Sequence, residues 1–195
     1  MTGINTMERS LDLRSSNMLA LSRATFDALR AALMRDGGLA GATQLQDAGF
    51  VGGDSLFGSF RAWATDRFDT EPGELSAEEF GKIASEFFRE AGWGSFELGA
   101  LYDAVATVDT ADWQEADPAT VLEHPGCHLT TGILAGFFAA AGNAPIAALE
   151  VECRSAGNPR CRFLIGAGPV LTHVFEQVER GIGYEDAIKG IAVRD

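Results

Sequence analysis

The sequence predicts an α+β fold: N-terminal helices followed by an antiparallel sheet packed with helices. Three observations predict it. Apolar residues recur at helical spacing through the first half of the chain. The period then shifts to alternation near Trp93, where Phe96 and Leu98 interleave with Ser95 and Glu97. Two later apolar runs, 146–153 and 161–165, flank Ala156-Gly157-Asn158-Pro159, a segment with strong turn chemistry.

Each element has its own signal. Residues 1–15 read as a loose arm. Met18, Leu21, Leu29 and Leu33 form one stripe of a helix over 17–35, which Gly37-Gly38 ends. A second helical region covers 39–68, broken near Gly52-Gly53. Leu56, Phe57, Phe60 and Trp63 form its core-facing stripe. Residues 69–75 are an acidic linker containing Pro72-Gly73. Ser76 opens a well-marked helix, with Ser76 and Glu79 as a capping box and Leu75 placed to staple to Phe80. Phe80, Ile83 and Phe87 continue the buried stripe to an end near Gly92.

A strand at 96–98 and a returning partner at 102–109 follow. Asp117-Pro118 marks a turn, and 130–141 is a helix rich in small residues. Strands 146–153 and 161–165 precede an amphipathic helix over 170–180, carrying Val170, Leu171, Val174, Phe175 and Val178. Gly181 and Gly183 end it, and a short last helix holds Ala187 and Ile188. Residues 1–75 are expected to form an arm and helical region able to dimerise. Residues 76–195 are expected to form the ligand-binding domain.

Composition narrows the function. The 195 residues are 46% hydrophobic, enough for a real core, and 22% charged. The net charge of −13 repels phosphate backbones and anionic lipid surfaces, so neither nucleic acid nor membrane is an expected partner. No stretch approaches the roughly 20 apolar residues of a transmembrane helix. The polar start lacks a signal core, which places the protein in the cytoplasm.

The three cysteines carry the chemistry. Seven residues separate Cys153 from Cys161, and a strand, short loop and returning strand would bring their sulfurs together. With Glu150 they form a clamp for a soft or borderline metal ion, zinc first. Two other readings stay open on spacing alone: buried thiols packed as small hydrophobes, or a disulfide. The odd count and the absence of a dense cysteine framework speak against the disulfide.

The same residues carry a family resemblance. GCHLTTGILAGFF, LEVECRSAGNPRCRFLIG and VFEQVERGIGYEDAI, between 126 and 188, resemble the 4-vinyl reductase domain. That domain also forms the sensory half of bacterial regulators that detect phenol-like effectors. The resemblance implies the ligand-binding fold shared with haem nitric-oxide sensors and Golgi tethering subunits. It implies a structural zinc on Cys127, Glu150, Cys153 and Cys161, all four in register with the family. A regular strand would point Glu150 and Cys153 to opposite faces, so a bulge or strand end is needed between them. Failing that, His128 or His124 would replace Glu150.

The resemblance further implies a pocket for a small hydrophobic or aromatic molecule, and pairing into a homodimer through the N-terminal helices. Trp113 would take the part of the family's ligand-binding tryptophan, with its indole N–H as donor. Gly132 and Gly136 share one helix face, which permits close packing, helix to sheet, or borders the cavity. Thr131, Ile133 and Phe137 are then lining candidates, with Trp93, Phe96 and Tyr102. No histidine precedes His124, so the family's hydroxyl-binding histidine has no counterpart and the ligand is expected to be more apolar than phenol.

There is no nucleophile elbow, HExxH, phosphate loop or dinucleotide fingerprint. Four protein ligands would also close a tetrahedral zinc. A binding module is therefore expected rather than an enzyme. An enzyme or accessory factor in tetrapyrrole vinyl-group reduction, and a structural adaptor, are the two alternatives the resemblance leaves.

Overall fold

The computed structural model describes residues 11–13, 18–102 and 105–192. Helices α1 (Arg23–Gly37), α2 (Leu39–Phe68) and α3 (Ala77–Glu90) precede strands β1 (Glu97–Leu101) and β2 (Val105–Thr110). Helix α4 (His128–Gly142) follows a long connection. Then come β3 (Ile146–Glu152), β4 (Cys161–Ala167), α5 (Gly168–Glu179) and α6 (Tyr184–Ala192). The fold is α+β.

The four strands form one antiparallel sheet in the order β1-β2-β4-β3. Alternation along the strands gives it two buried faces. Val108, Phe163 and Ile165 face α2, α3 and α4 through the main core. Val105 and Leu164 face Leu171, Val174, Ala187 and Ile188 of α5 and α6. The main core is mostly aromatic, with Phe60, Phe87, Phe88, Trp113 and Phe137 among its buried members. It draws on residues from both sides of position 75.

Local signals explain several boundaries. Ser76 and Glu79 make the reciprocal capping box that starts α3. Helix α1 ends at Gly37, and Gly38 sits at φ +50° between it and α2. Of the stretch expected to begin that helix, Asn17 lies outside the described residues, and regular helix starts at Arg23 behind the Ser22 cap.

Two expectations need correction. Helix α2 is not broken near Gly52-Gly53; it runs unbroken for 30 residues. Its glycines serve close approach instead of a turn. A Cβ on Gly49 would collide with the Leu129 carbonyl, and one on Gly53 with that of Ile133. The reverse holds on α4, where Gly132 and Gly136 press against the backbone of Gln46 and Phe50. Two Gly-x-x-x-Gly faces thus meet helix to helix. The packing partner of Gly132 and Gly136 is α2, not the sheet.

Candidate metal centre and apolar groove

The N-terminal end of α4 gathers the cysteine chemistry. Cys127 is the residue before its first turn, Cys153 follows β3, and Cys161 begins β4. Cys127, Cys153 and Cys161 are fully buried, and Glu150 nearly so. One ligand atom from each lies within 4.8 Å of the other three. Cys127 Sγ and Cys153 Sγ are 3.9 Å apart. Four-coordinate zinc with Zn–S bonds of about 2.3 Å places its sulfurs about 3.8 Å apart, so the spacing suits such an ion.

A bulge makes this possible. β3 pairs regularly with β4 up to Glu150 opposite Phe163, and then Glu152 pairs with Arg162, leaving Val151 as the extra residue. The insertion reverses the alternation. Glu150 and Cys153 therefore face the same core, although three positions separate them. The turn between the cysteines is pinned as well. Asn158 Oδ1 accepts from Cys153 N at 3.0 Å, Cys161 Sγ accepts from Arg154 N at 3.4 Å, and Gly157 takes φ +87°.

The donor set fits a cation. Glu150 Oε2 accepts from Cys127 N at 2.8 Å, while its buried Oε1 has no hydrogen-bond partner. An uncompensated carboxylate oxygen beside three sulfurs is costly unless a cation satisfies it. The electrostatics agree. Burial and the neighbouring Cys153 push the Glu150 carboxyl up to about 9. Hydrogen bonds from Cys127 and Cys161 hold the Cys153 thiol far below its ordinary range. The Cys127 thiol moves far above that range, through its hydrogen bonds to Cys153 and Cys161 and through burial. Cys161 gains from a bond with Cys127, but its bond to Cys153 and burial push it up to about 12. Four anions cannot share this volume without a compensating charge. Neither His124 nor His128 joins the cluster of ligand atoms.

Residues with no local sequence signal position this centre. Glu115, fully buried, caps α4 from outside the helix: its carboxylate accepts from Leu129 N at 3.1 Å, Thr130 N at 2.7 Å and Thr130 Oγ1 at 2.6 Å. Burial pushes its carboxyl up against the pull of those bonds and of Arg30. Trp113 Nε1 donates to the same Thr130 hydroxyl at 2.7 Å. Ser155, in the turn between Cys153 and Cys161, accepts from Asp117 N through Oγ and from Leu122 N through its carbonyl. That ties the α4 connection to the cysteine turn.

The opposite end of α4 is apolar. A groove of about 660 Å³ opens beside it, within the range of small-ligand sites. Phe57, Phe80, Leu98 and Phe138 form its walls, and Ala100, Ala106 and Gly166 keep its floor low. Tyr102, at φ +58°, is the lining residue with an ionisable side chain. Of the expected ligand-lining residues, Tyr102 alone borders this groove. Phe96, Trp113 and Phe137 pack in the aromatic core, where Phe137 meets Phe88 at 5.0 Å. Trp93 stacks on Trp113 at 6.1 Å. Ile133 is buried under α2, and Thr131 donates its hydroxyl to Cys127 O. The Trp113 indole N–H is already engaged by Thr130.

An antiparallel sheet with helices on both faces, and a cysteine–carboxylate cluster between α4 and a bulged hairpin, define the class of domain. Residues 113–167 match the family model of the 4-vinyl reductase domain, so the chain carries such a domain in the segment that holds all four clustered residues. Three solved structures share the fold. The phenol-responsive sensory domain of the transcription activator PoxR, solved with phenol, is 18% identical with a TM-score of 0.57. The match covers 77% of this chain and 76% of that one. A vinyl-4-reductase family protein from Methanocaldococcus jannaschii is 17% identical with a TM-score of 0.54, covering 78% and 88%. A trafficking protein particle complex subunit 3 from Naegleria fowleri, covalently bound to palmitic acid, is 13% identical with a TM-score of 0.59, covering 80% and 96%. No curated protein matches the sequence. Among the described residues, no helix is long and apolar enough to cross a membrane.

Proposed function

We propose that this chain is a small-molecule binding or sensory module with a structural zinc. Cys127, Glu150, Cys153 and Cys161 hold the ion, and the groove at the far end of α4 takes an uncharged hydrophobic or aromatic ligand. The observation that carries the ligand reading is the groove itself, apolar on every wall and free of ionisable side chains except Tyr102. The family match and the likeness to a phenol-sensing domain support a sensory use of such a site. The missing histidine and the apolar walls both favour a ligand less polar than phenol.

When bound, zinc would supply a crosslink among three separated segments, and not a reactive centre, because four protein ligands leave no open position. A homodimer is the proposed assembly. Helix α1 buries none of its residues, and Leu29 and Leu33 on it, with Leu39 on α2, lie exposed. Native mass spectrometry of protein purified without added metal tests all three readings at once. The expected species is a dimer with one zinc per chain that gains a neutral hydrophobic probe such as Nile red. Zinc-bound protein that takes up no such probe contradicts the ligand reading. Protein without metal contradicts the zinc reading.

A further inference from the structure

Helix α1 is held to the body in an unusual way. It buries no residue, and the long-range polar contacts it makes with its arginines all land on the connection between β2 and Cys127. Arg23 donates to Gln114 Oε1 at 2.6 Å and to Ala116 O at 3.4 Å. Arg30, its side chain only 18% exposed, donates to Gly126 O at 2.7 Å and to Glu115 O at 3.4 Å. Its Nε lies 3.4 Å from the buried Glu115 carboxylate and has no hydrogen-bond partner of its own. Phe26 adds an edge contact to Trp93.

The Gly126 contact matters most. Gly126 C=O and Cys127 N–H belong to one peptide group. Arg30 binds its oxygen, and Glu150 Oε2 accepts from its nitrogen at 2.8 Å. A cation on the carbonyl polarises the peptide and strengthens the N–H as a donor, because hydrogen bonds in series reinforce one another where water is excluded. The same guanidinium sits beside Glu115, which fixes the first turn of α4 through Leu129 and Thr130. One side chain from α1 therefore steadies the backbone of Cys127, the orientation of Glu150 and the start of α4.

We infer that Arg30 is a positioning residue for the metal centre, and that docking of α1 and loading of the metal are one coupled equilibrium. The inference rests on the zinc reading above. Coupling of this kind is reciprocal: a loaded centre holds the 126–127 peptide in the form Arg30 recognises, and a docked α1 holds the site in the form the ion needs. Because α1 also carries exposed leucines, the coupling gives the metal centre a route to whatever that face contacts.

The test uses the full chain with zinc. Zinc transfer to a chromogenic chelator is timed for wild type, Arg30→Met, Arg30→Lys and Arg23→Met. Amide hydrogen exchange of α1 and of α5 is followed before and after chelation. Arg30→Met is expected to release zinc about tenfold faster or more, as loss of a group that orients a ligand does. Arg30→Lys should recover part of the retention, since it keeps a donor for Gly126 O. Arg23→Met should speed exchange in α1 while changing zinc release less. In wild type, chelation should speed exchange in α1 and leave α5 slow.

Zinc release from Arg30→Met at the wild-type rate, even with a lower thermal midpoint, would overturn the inference while leaving the zinc reading intact. So would α1 exchange that ignores chelation, or that rises only together with α5. If Arg30→Met does not fold, the wild-type exchange comparison decides alone. Wild type that binds no zinc overturns both.

Discussion

The two ends of α4 are built from opposite chemistry. At its N-terminus, buried polar groups are linked: Trp113 to Thr130, Thr130 to Glu115, Glu115 to Leu129, Cys127 N to Glu150. The conspicuous exception is Glu150 Oε1, beside three sulfurs. At its C-terminus the groove offers phenylalanine walls, an alanine and glycine floor, and one phenol. Between them, paired glycines bring α2 and α4 together backbone to backbone. The polar end lacks a charge and the apolar end lacks contents, so each is incomplete in its own way. Each asks for a different guest, and the rigid helix pair lets each be filled without deforming the other.

Separating the ends is the way to break this comparison. The largest effect is expected from Cys153→Ser, which removes a clustered thiol from the most confined point of the site. Loss of a structural metal belongs with the most damaging changes, about 4–5 kcal/mol or more. Zinc content and the thermal midpoint should fall together; an unchanged midpoint with full zinc would refute the structural role. Next comes Gly136→Ala, whose methyl meets the Phe50 carbonyl across the helix pair. Overpacking there should cost about 1–3 kcal/mol by denaturant unfolding. A neutral result would mean that the helices sit further apart than described.

Thr130→Val probes the polar end without touching a clustered residue. It strands the Trp113 indole N–H and one Glu115 contact, so a loss of about 1–3 kcal/mol is expected, with a change in tryptophan emission. Stability equal to wild type would show that water replaces the hydroxyl. The smallest effect on stability should come from Ala100→Trp, which fills the groove from an exposed strand position. Surface substitutions of this kind usually stay within about 0.5 kcal/mol. Nile red affinity should drop about tenfold, with zinc content unchanged. Undiminished dye binding would place the ligand elsewhere.

How much of this was legible in the sequence follows from where each signal resides. Capping at Ser76 and Glu79 is a local pattern, and the structure has it. The cysteine spacing selected four residues that the structure brings together, and strand alternation alone required the bulge that appears at Val151. Gly52-Gly53 misled because glycine weakens a helix locally, whereas here its role lies in what packs against Gly53, a tertiary fact. Glu115 and Arg30 were invisible for the same reason. Their partners lie 14 and 96 positions away, at Leu129 and Gly126, and no periodicity points to them. The groove escaped because its floor is made of alanine and glycine, so its signal is a lack of bulk. The aromatic residues that drew attention, Phe96, Trp113 and Phe137, fill the core instead.

X-ray absorption at the zinc edge tests the central claim most directly, because it reads the first shell of the ion in the folded protein. Three sulfurs at about 2.3 Å and one oxygen at about 2.0–2.2 Å are predicted, from Cys127, Cys153, Cys161 and Glu150. Glu150→Gln should disturb the oxygen shell and leave the sulfurs in place. A shell with fewer than three sulfurs, or with imidazole nitrogen in place of oxygen, would contradict the account.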